Sequence, residues 1–254
     1  ALRRTGPSMS PQEVANVMYS LPIMTFDTSF PPLDESSPAA QAIWSVLRTA
    51  LEAFTRIPSD MYKKENFDQF AMFFELLDVI PGGHQLLTEI TGSSIIPRIS
   101  GPSANVPSRL HTRTVHAMLD SLGVIYSVRR AGSTDTSATS PASLLKASEG
   151  FDIVNEFSGL RGVFPIDAAV YHNNQLVALV EIDGEFHYKA LGQNLRRKDQ
   201  FKEFLYRCHY PYLPLFRIRS DQCAVIGTDR AGEALATWIV NSMDERDQLV
   251  ADKI

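Results

Sequence analysis

At 254 residues the chain has room for one large domain or two small ones, with core enough to fold without staples. Its 44% hydrophobic and 21% charged residues are those of an ordinary globular protein, and no apolar run reaches the length of a membrane span. Two cysteines exclude a disulfide framework and zinc-finger ligand spacing, and the net charge of −5 excludes a uniformly basic nucleic-acid-binding surface.

In chain order, Ala1-Leu-Arg-Arg4 is basic and acid-free, which suits the tail of a mitochondrial transit peptide. Ser10-Pro-Gln-Glu13 then reads as a capping box with proline at the first helical position. Val14, Val17, Met18 and Leu21 give that helix its stripe, and Pro22 is expected to end it. A Pro- and Ser-rich loop over 25–38 leads to a helix over 39–54, with Trp44 as a packing anchor. A third helix over 66–79 carries Phe67, Phe70, Phe73, Phe74 and Leu77, a core stripe, and Pro81-Gly-Gly83 stops it. Residues 85–90 add a short helix, and the boundary between two domains is placed within 92–107. His84, His111 and His116 lack metal-ligand partners at useful spacing and read as surface residues.

Ser108 starts a helix through Leu122 with Gly123 as its C-terminal cap, and Val124-Ile-Tyr-Ser-Val128 reads as a first strand. Residues 130–148 read as an insertion without periodicity. Phe164–Tyr171 and Leu176–Asp183 are strands flanking the turn-like His172-Asn-Asn-Gln175. The second is a continuous apolar run, as a strand buried on both faces requires, and it ends in Glu181-Ile-Asp-Gly184. Alternation puts Glu181 and Asp183 on one face. A two-residue turn sets Asp167 opposite Val180, whereas a three-residue loop or a bulge sets it opposite Glu181. Three acids gathered there form an oxygen-donor set suited to a hard divalent cation. The plain alternative is three acids at a sheet end, each pairing with a nearby base.

A helix over 195–206 follows, expected to bury Leu195, Phe201, Phe204 and Leu205 while Arg196, Arg197 and Lys202 face solvent, with Asn194 as N-cap. Between Lys189 and Arg219 eight bases stand against two acids, a local basic stretch in an acidic chain. Tyr212–Ile218 reads as a strand, and Pro214 assigns it to an edge or a bulge. A helix over 230–243, with Leu235, Trp238, Ile239 and Met243 inward, closes the chain.

An acid ending one strand, then Glu181-x-Asp183-Gly184-x-x-His187 ending the next, then a basic helix and a strand, resembles the RAP domain of organellar RNA-binding proteins. The same residues look like the very-short-patch-repair branch of the PD-(D/E)XK nuclease fold. Gln12–Leu21 resembles the helical repeats that precede RAP domains. The resemblance implies an α/β (α+β) chain: a helical region over 1–105, an endonuclease-like mixed sheet with flanking helices over 106–226, and a C-terminal helix over 227–254. It implies an RNA-binding protein acting in the mitochondrial matrix, or another organelle, in RNA processing or ribosome assembly. Its partners would be RNA and the proteins of a ribonucleoprotein complex, with no membrane. RNA contacts are expected from Asn194, Arg196, Arg197 and Lys202. The alternative is a metal-dependent endoribonuclease, with Asp167, Glu181 and Asp183 holding Mg²⁺ or Mn²⁺ and His187 or Lys198 helping to activate water. One departure bears on that alternative: the nuclease pattern has lysine two residues after the glutamate, and this chain has Asp183. Lys198 is the candidate stand-in.

Overall fold

The computed structural model describes residues 9–26, 30–31, 33–93, 109–132, 150–157, 160, 164–184, 187–188 and 194–251. The basic start, most of the boundary segment and residues 133–148 of the insertion lie outside these, while 130–132 belong to the helix Arg109–Gly132. The described chain is mixed α/β, with eight helices and a four-stranded mixed sheet. It divides into two compact units whose segments interleave in sequence. The first comprises 1–103, 158–164 and 195–211; the second comprises 104–157, 165–194 and 212–254.

The first unit is helical: α1 (Pro11–Thr25), α2 (Pro38–Arg56), α3 (Lys64–Val79), α4 (Gly83–Thr91) and, from far along the chain, α6 (Arg197–His209). The capping box forms as read. Ser10 Oγ accepts from Glu13 N–H at 3.3 Å, and Glu13 Oε2 accepts from Ser10 N–H at 2.8 Å. Pro22 does not end α1, which runs one further turn to Thr25 with Pro22 buried. The extra turn is tolerated because its exposed carbonyls find a partner, described below. Trp44 is buried as expected and donates from Nε1 to Pro31 O at 3.0 Å. The stripe of α3 is core: Phe70, Phe73, Phe74 and Leu77 are buried, and Phe70 meets Phe54 and Tyr62 edge-on at 4.9 and 4.5 Å. At the turn into α4, Gly82 has φ 85°, and a Cβ on Gly83 would overlap the Leu77 carbonyl.

The second unit holds α5 (Arg109–Gly132), β1 (Phe151–Phe157), β2 (Ile166–His172), β3 (Gln175–Asp183), β4 (Leu215–Arg219), α7 (Ser220–Ile226) and α8 (Thr228–Ala251). Sheet order is β1-β2-β3-β4. The first three strands are antiparallel, and β4 lies parallel to β3. Leu176–Asp183 is thus interior to the sheet, and the strand after Pro214 is an edge, as the sequence requires. Val124–Val128 is not a strand but the continuation of α5. Met118, Leu122, Ile125 and Tyr126 repeat at helical spacing against the core, and this outweighs the local β-branched composition. The first strand is instead β1. Helices α5 and α8 cross closely: a Cβ on Gly232 would fall 2.5–2.7 Å from Met118 N and from Ala117. Leu235 and Ile239 of α8 are buried, but Trp238, expected inward, is 42% exposed and stacks on Phe216 with ring centroids 6.2 Å apart.

The chain between β3 and β4 leaves the sheet unit and supplies α6 to the helical one, packed on α1 and α3. The expected boundary near residue 105 falls beside the 103/104 division of the units, but residues 158–164 and 195–211 return to the helical unit, and α8 belongs with the sheet.

Candidate functional site

The β2–β3 connection is a two-residue turn in which Asn173 and Asn174 both have positive φ, 50° and 65°. This is the hairpin geometry that matches strand twist. His172 pairs with Gln175 and Tyr171 with Leu176, but Val170 pairs with Ala178, so Val177 forms a bulge. The bulge advances β3 by one residue. Ala168 then pairs with Val180, and the next position along sets Asp167 beside Glu181. Bringing Asp167 level with Glu181 takes either this bulge or an odd loop.

The three carboxylates are handled differently. Asp167, half-buried, accepts the Ile182 N–H at 2.6 Å through Oδ2, closing the end of the β2–β3 ladder. Glu181 and Asp183 are 3% and 1% exposed. In the parallel register Glu181 lies beside Arg217 and Asp183 beside Arg219. Arg217 Nη1 is 3.3 Å from Asp183 Oδ2, and its Nη2 is 4.0 Å from Glu181 Oε2. The Tyr188 hydroxyl donates to Asp183 Oδ2 at 3.0 Å, while Asp183 Oδ1 is buried with no hydrogen-bond partner among the described residues. Burial, and then the Asp183 carboxylate, push the Tyr188 phenol up to about 12. Arg219 lies 4.7 Å over the Tyr188 ring and forks onto Asp221 at 2.9 and 2.6 Å. Two buried carboxylates therefore face one guanidinium, and the cation in this cluster belongs to the protein itself. Asp167, Glu181 and Asp183 are not among the described residues whose ligand atoms gather within 4.8 Å of one another. Asp167 thus turns to the backbone, while Arg217 lies against Asp183 and near Glu181.

His187 is half-buried, its N–H donating to Gly184 O at 3.1 Å. Lys198 belongs to the helical unit, where it is exposed with its ammonium 5.6 Å over the Phe164 ring.

The basic helix also departs from expectation. The N-cap of α6 is Arg196, not Asn194, and the Arg196 side chain makes no capping hydrogen bond. Arg197 does not face solvent. Its Nε donates to Ile23 O at 3.2 Å, its Nη2 lies 3.5 Å from Met24 O, and its guanidinium lies 4.5 Å over Phe26. It closes the C-terminal end of α1, where unsatisfied carbonyls and the helix dipole favour a cation. Lys202 is 9% exposed and Asp199 8%. Asp199, Lys202 and Tyr206 form a second buried line beside Phe201 and Leu205, so α6 is buried over a wider arc than a single stripe suggests. Arg196 and Lys198 remain exposed at its start, and Arg207 at its end pairs with Glu203 at 2.6 Å.

Arg217, Arg219 and Tyr188 were missed by sequence reasoning. A signal for the arginines was present: bases at alternate positions of one strand match acids at alternate positions of another. No family model, curated protein or solved structure matches the chain.

Proposed function

We propose that this chain is an RNA-binding module of the RAP type, working within a mitochondrial or other organellar ribonucleoprotein complex in RNA processing or ribosome assembly. The observation that carries this over the nuclease alternative is the position of Arg217, 3.3 Å from Asp183 and across from Glu181. A nuclease of this architecture uses its strand-end acids to hold Mg²⁺ or Mn²⁺ against the scissile phosphate. Here a guanidinium balances the acids, which favours a structural role for the cluster and a binding role for the molecule. RNA phosphates meet the chain at the start of α6, where Arg196 and Lys198 are exposed and the N-cap side chain makes no capping hydrogen bond.

The test is anisotropy of a labelled single-stranded RNA at several salt concentrations, with Mg²⁺ or Mn²⁺ present or absent and the RNA length checked afterwards. Intact RNA is expected, with affinity falling steeply as salt rises. Arg196→Ala with Lys198→Ala should weaken binding and flatten the salt slope by about two phosphate contacts. Absence of RNA binding by the folded chain overturns the proposal. Metal-dependent cleavage that disappears in Asp183→Asn reassigns the chain to the nuclease class.

A further inference from the structure

A second group of ionisable side chains lies wholly within the helical unit. Glu75 and Asp78, three residues apart on α3, present carboxylates on one face, and His209, the last residue of α6, brings its imidazole to them. His209 Nε2 is 3.2 Å from Glu75 Oε2 and 3.8 Å from Asp78 Oδ2, and one ligand atom from each residue lies within 4.8 Å of the other two. Metal–ligand bonds of roughly 2.0–2.2 Å in a tetrahedral shell place neighbouring ligand atoms roughly 3.4 Å apart. The observed separations bracket that figure. At 3.2 Å the near pair is also within ion-pair distance. The Glu75 side chain is 2% exposed, so its carboxylate meets the cluster away from bulk water.

His84, at the start of α4, reaches Asp78 Oδ1 at 2.8 Å through Nε2. This holds the carboxylate with Oδ2 directed at the cluster, as an outer-shell partner orients a ligand. Asp78 and His209 are 14% and 27% exposed, which leaves a side for an ion and its water to enter. One imidazole with two carboxylates is neither the all-oxygen set of Mg²⁺ or Ca²⁺ nor the thiolate set of softer ions.

We infer that Glu75, Asp78 and His209 form a binding site for a first-row divalent cation, Zn²⁺ fitting best, with water completing the shell. The ion joins the end of α6 to α3, within the same unit as the basic start of α6.

The test uses the full chain, stripped with chelator and titrated with Zn²⁺ by calorimetry and with Co²⁺ by absorption. One ion per chain is expected, with cobalt d–d bands and no thiolate-to-cobalt band, and Cys208→Ser, beside the site in sequence, should change nothing. His209→Gln should weaken affinity about 100-fold and His84→Gln about 10-fold, as lost ligand and outer-shell contacts do. Circular dichroism confirms that each variant is folded. If His209→Gln does not fold, Asp78→Asn, at a half-buried position, takes its place with the same expected loss. Failure of the folded wild-type chain to bind either ion, or unchanged affinity and stoichiometry in the folded ligand variant, overturns the site.

Discussion

Arg217 shows what a single residue decides in this molecule. Its side chain is 15% exposed, and those of Asp183 and Glu181 are 0% and 4% exposed. Removing one partner of a buried ion pair leaves uncompensated charge, which costs far more than the pair contributes when intact. Arg217→Met should therefore lower unfolding free energy by ~3–5 kcal/mol, read as a shift of the urea midpoint at unchanged slope. Adding Glu181→Gln and Asp183→Asn should recover part of that loss, because neutral amides no longer require a cation. A further decrease would show that the arginine does not act through these acids. Tyr188 carries a pH signature. Its folded value is raised to about 12, above the value of about 10 for an unfolded tyrosine, so it contributes stability fully present below pH 10. That contribution is lost as pH rises from 10 through 12. Tyr62, raised to about 12 by burial, behaves alike. Tyr188→Phe should lessen the alkaline decline in the urea midpoint between those pH values. An identical decline in the variant would remove Tyr188 from the account.

At the scale of elements, the hairpin turn and bulge bring Asp167 level with Glu181. Both turn residues hold positive φ, which costs ordinary L-residues roughly 1–2 kcal/mol and asparagine less. Asn174→Ala should destabilise by ~1 kcal/mol and Asn174→Gly should not; equal stability of the two, measured by thermal melting, would argue against this turn. Much of this was legible beforehand. The apolar run Leu176–Val180 indicated a buried strand, Asn173-Asn174 a turn, and the spacing of the acids an odd loop or a bulge. Other features were hidden for physical reasons. Val124–Val128 has strand composition, and only its three-dimensional partners reveal that Ile125 and Tyr126 continue the face begun by Met118 and Leu122. The strand Phe151–Phe157 alternates weakly, with Val154 46% exposed and followed by Asn155 and Glu156. The burial of Arg197 and Lys202 depends on the end of α1, some 170 residues away in sequence, which no local pattern encodes.

For the whole molecule, chain order and spatial order differ, because the segment joining β3 to β4 carries α6 into the helical unit. The apolar face of α6 is therefore matched to partners encoded before residue 104. Phe26 meets Phe201 and Phe204 at 5.7 and 5.6 Å, and Arg197 caps the helix that ends just before Phe26. Such an arrangement couples the two halves of the sequence in stability, since neither can be cut away without stripping contacts from the other. A chain beginning at residue 104 retains every strand and both long helices of the sheet unit, α5 and α8. It loses α1 and α3, against which α6 packs. Hydrogen exchange on this fragment should therefore show protection kept along β2 and β3 and lost along α6, together with binding of an apolar dye by the uncovered Phe201 and Phe204. Arg197→Ala in the full chain should shift exchange in the same direction but less, confined to the last turn of α1 and the first of α6. If α6 stays as protected in the fragment as in the full chain, its stability does not come from α1 and α3. The assignment of α6 to the helical unit would then fail on the measurement most sensitive to it.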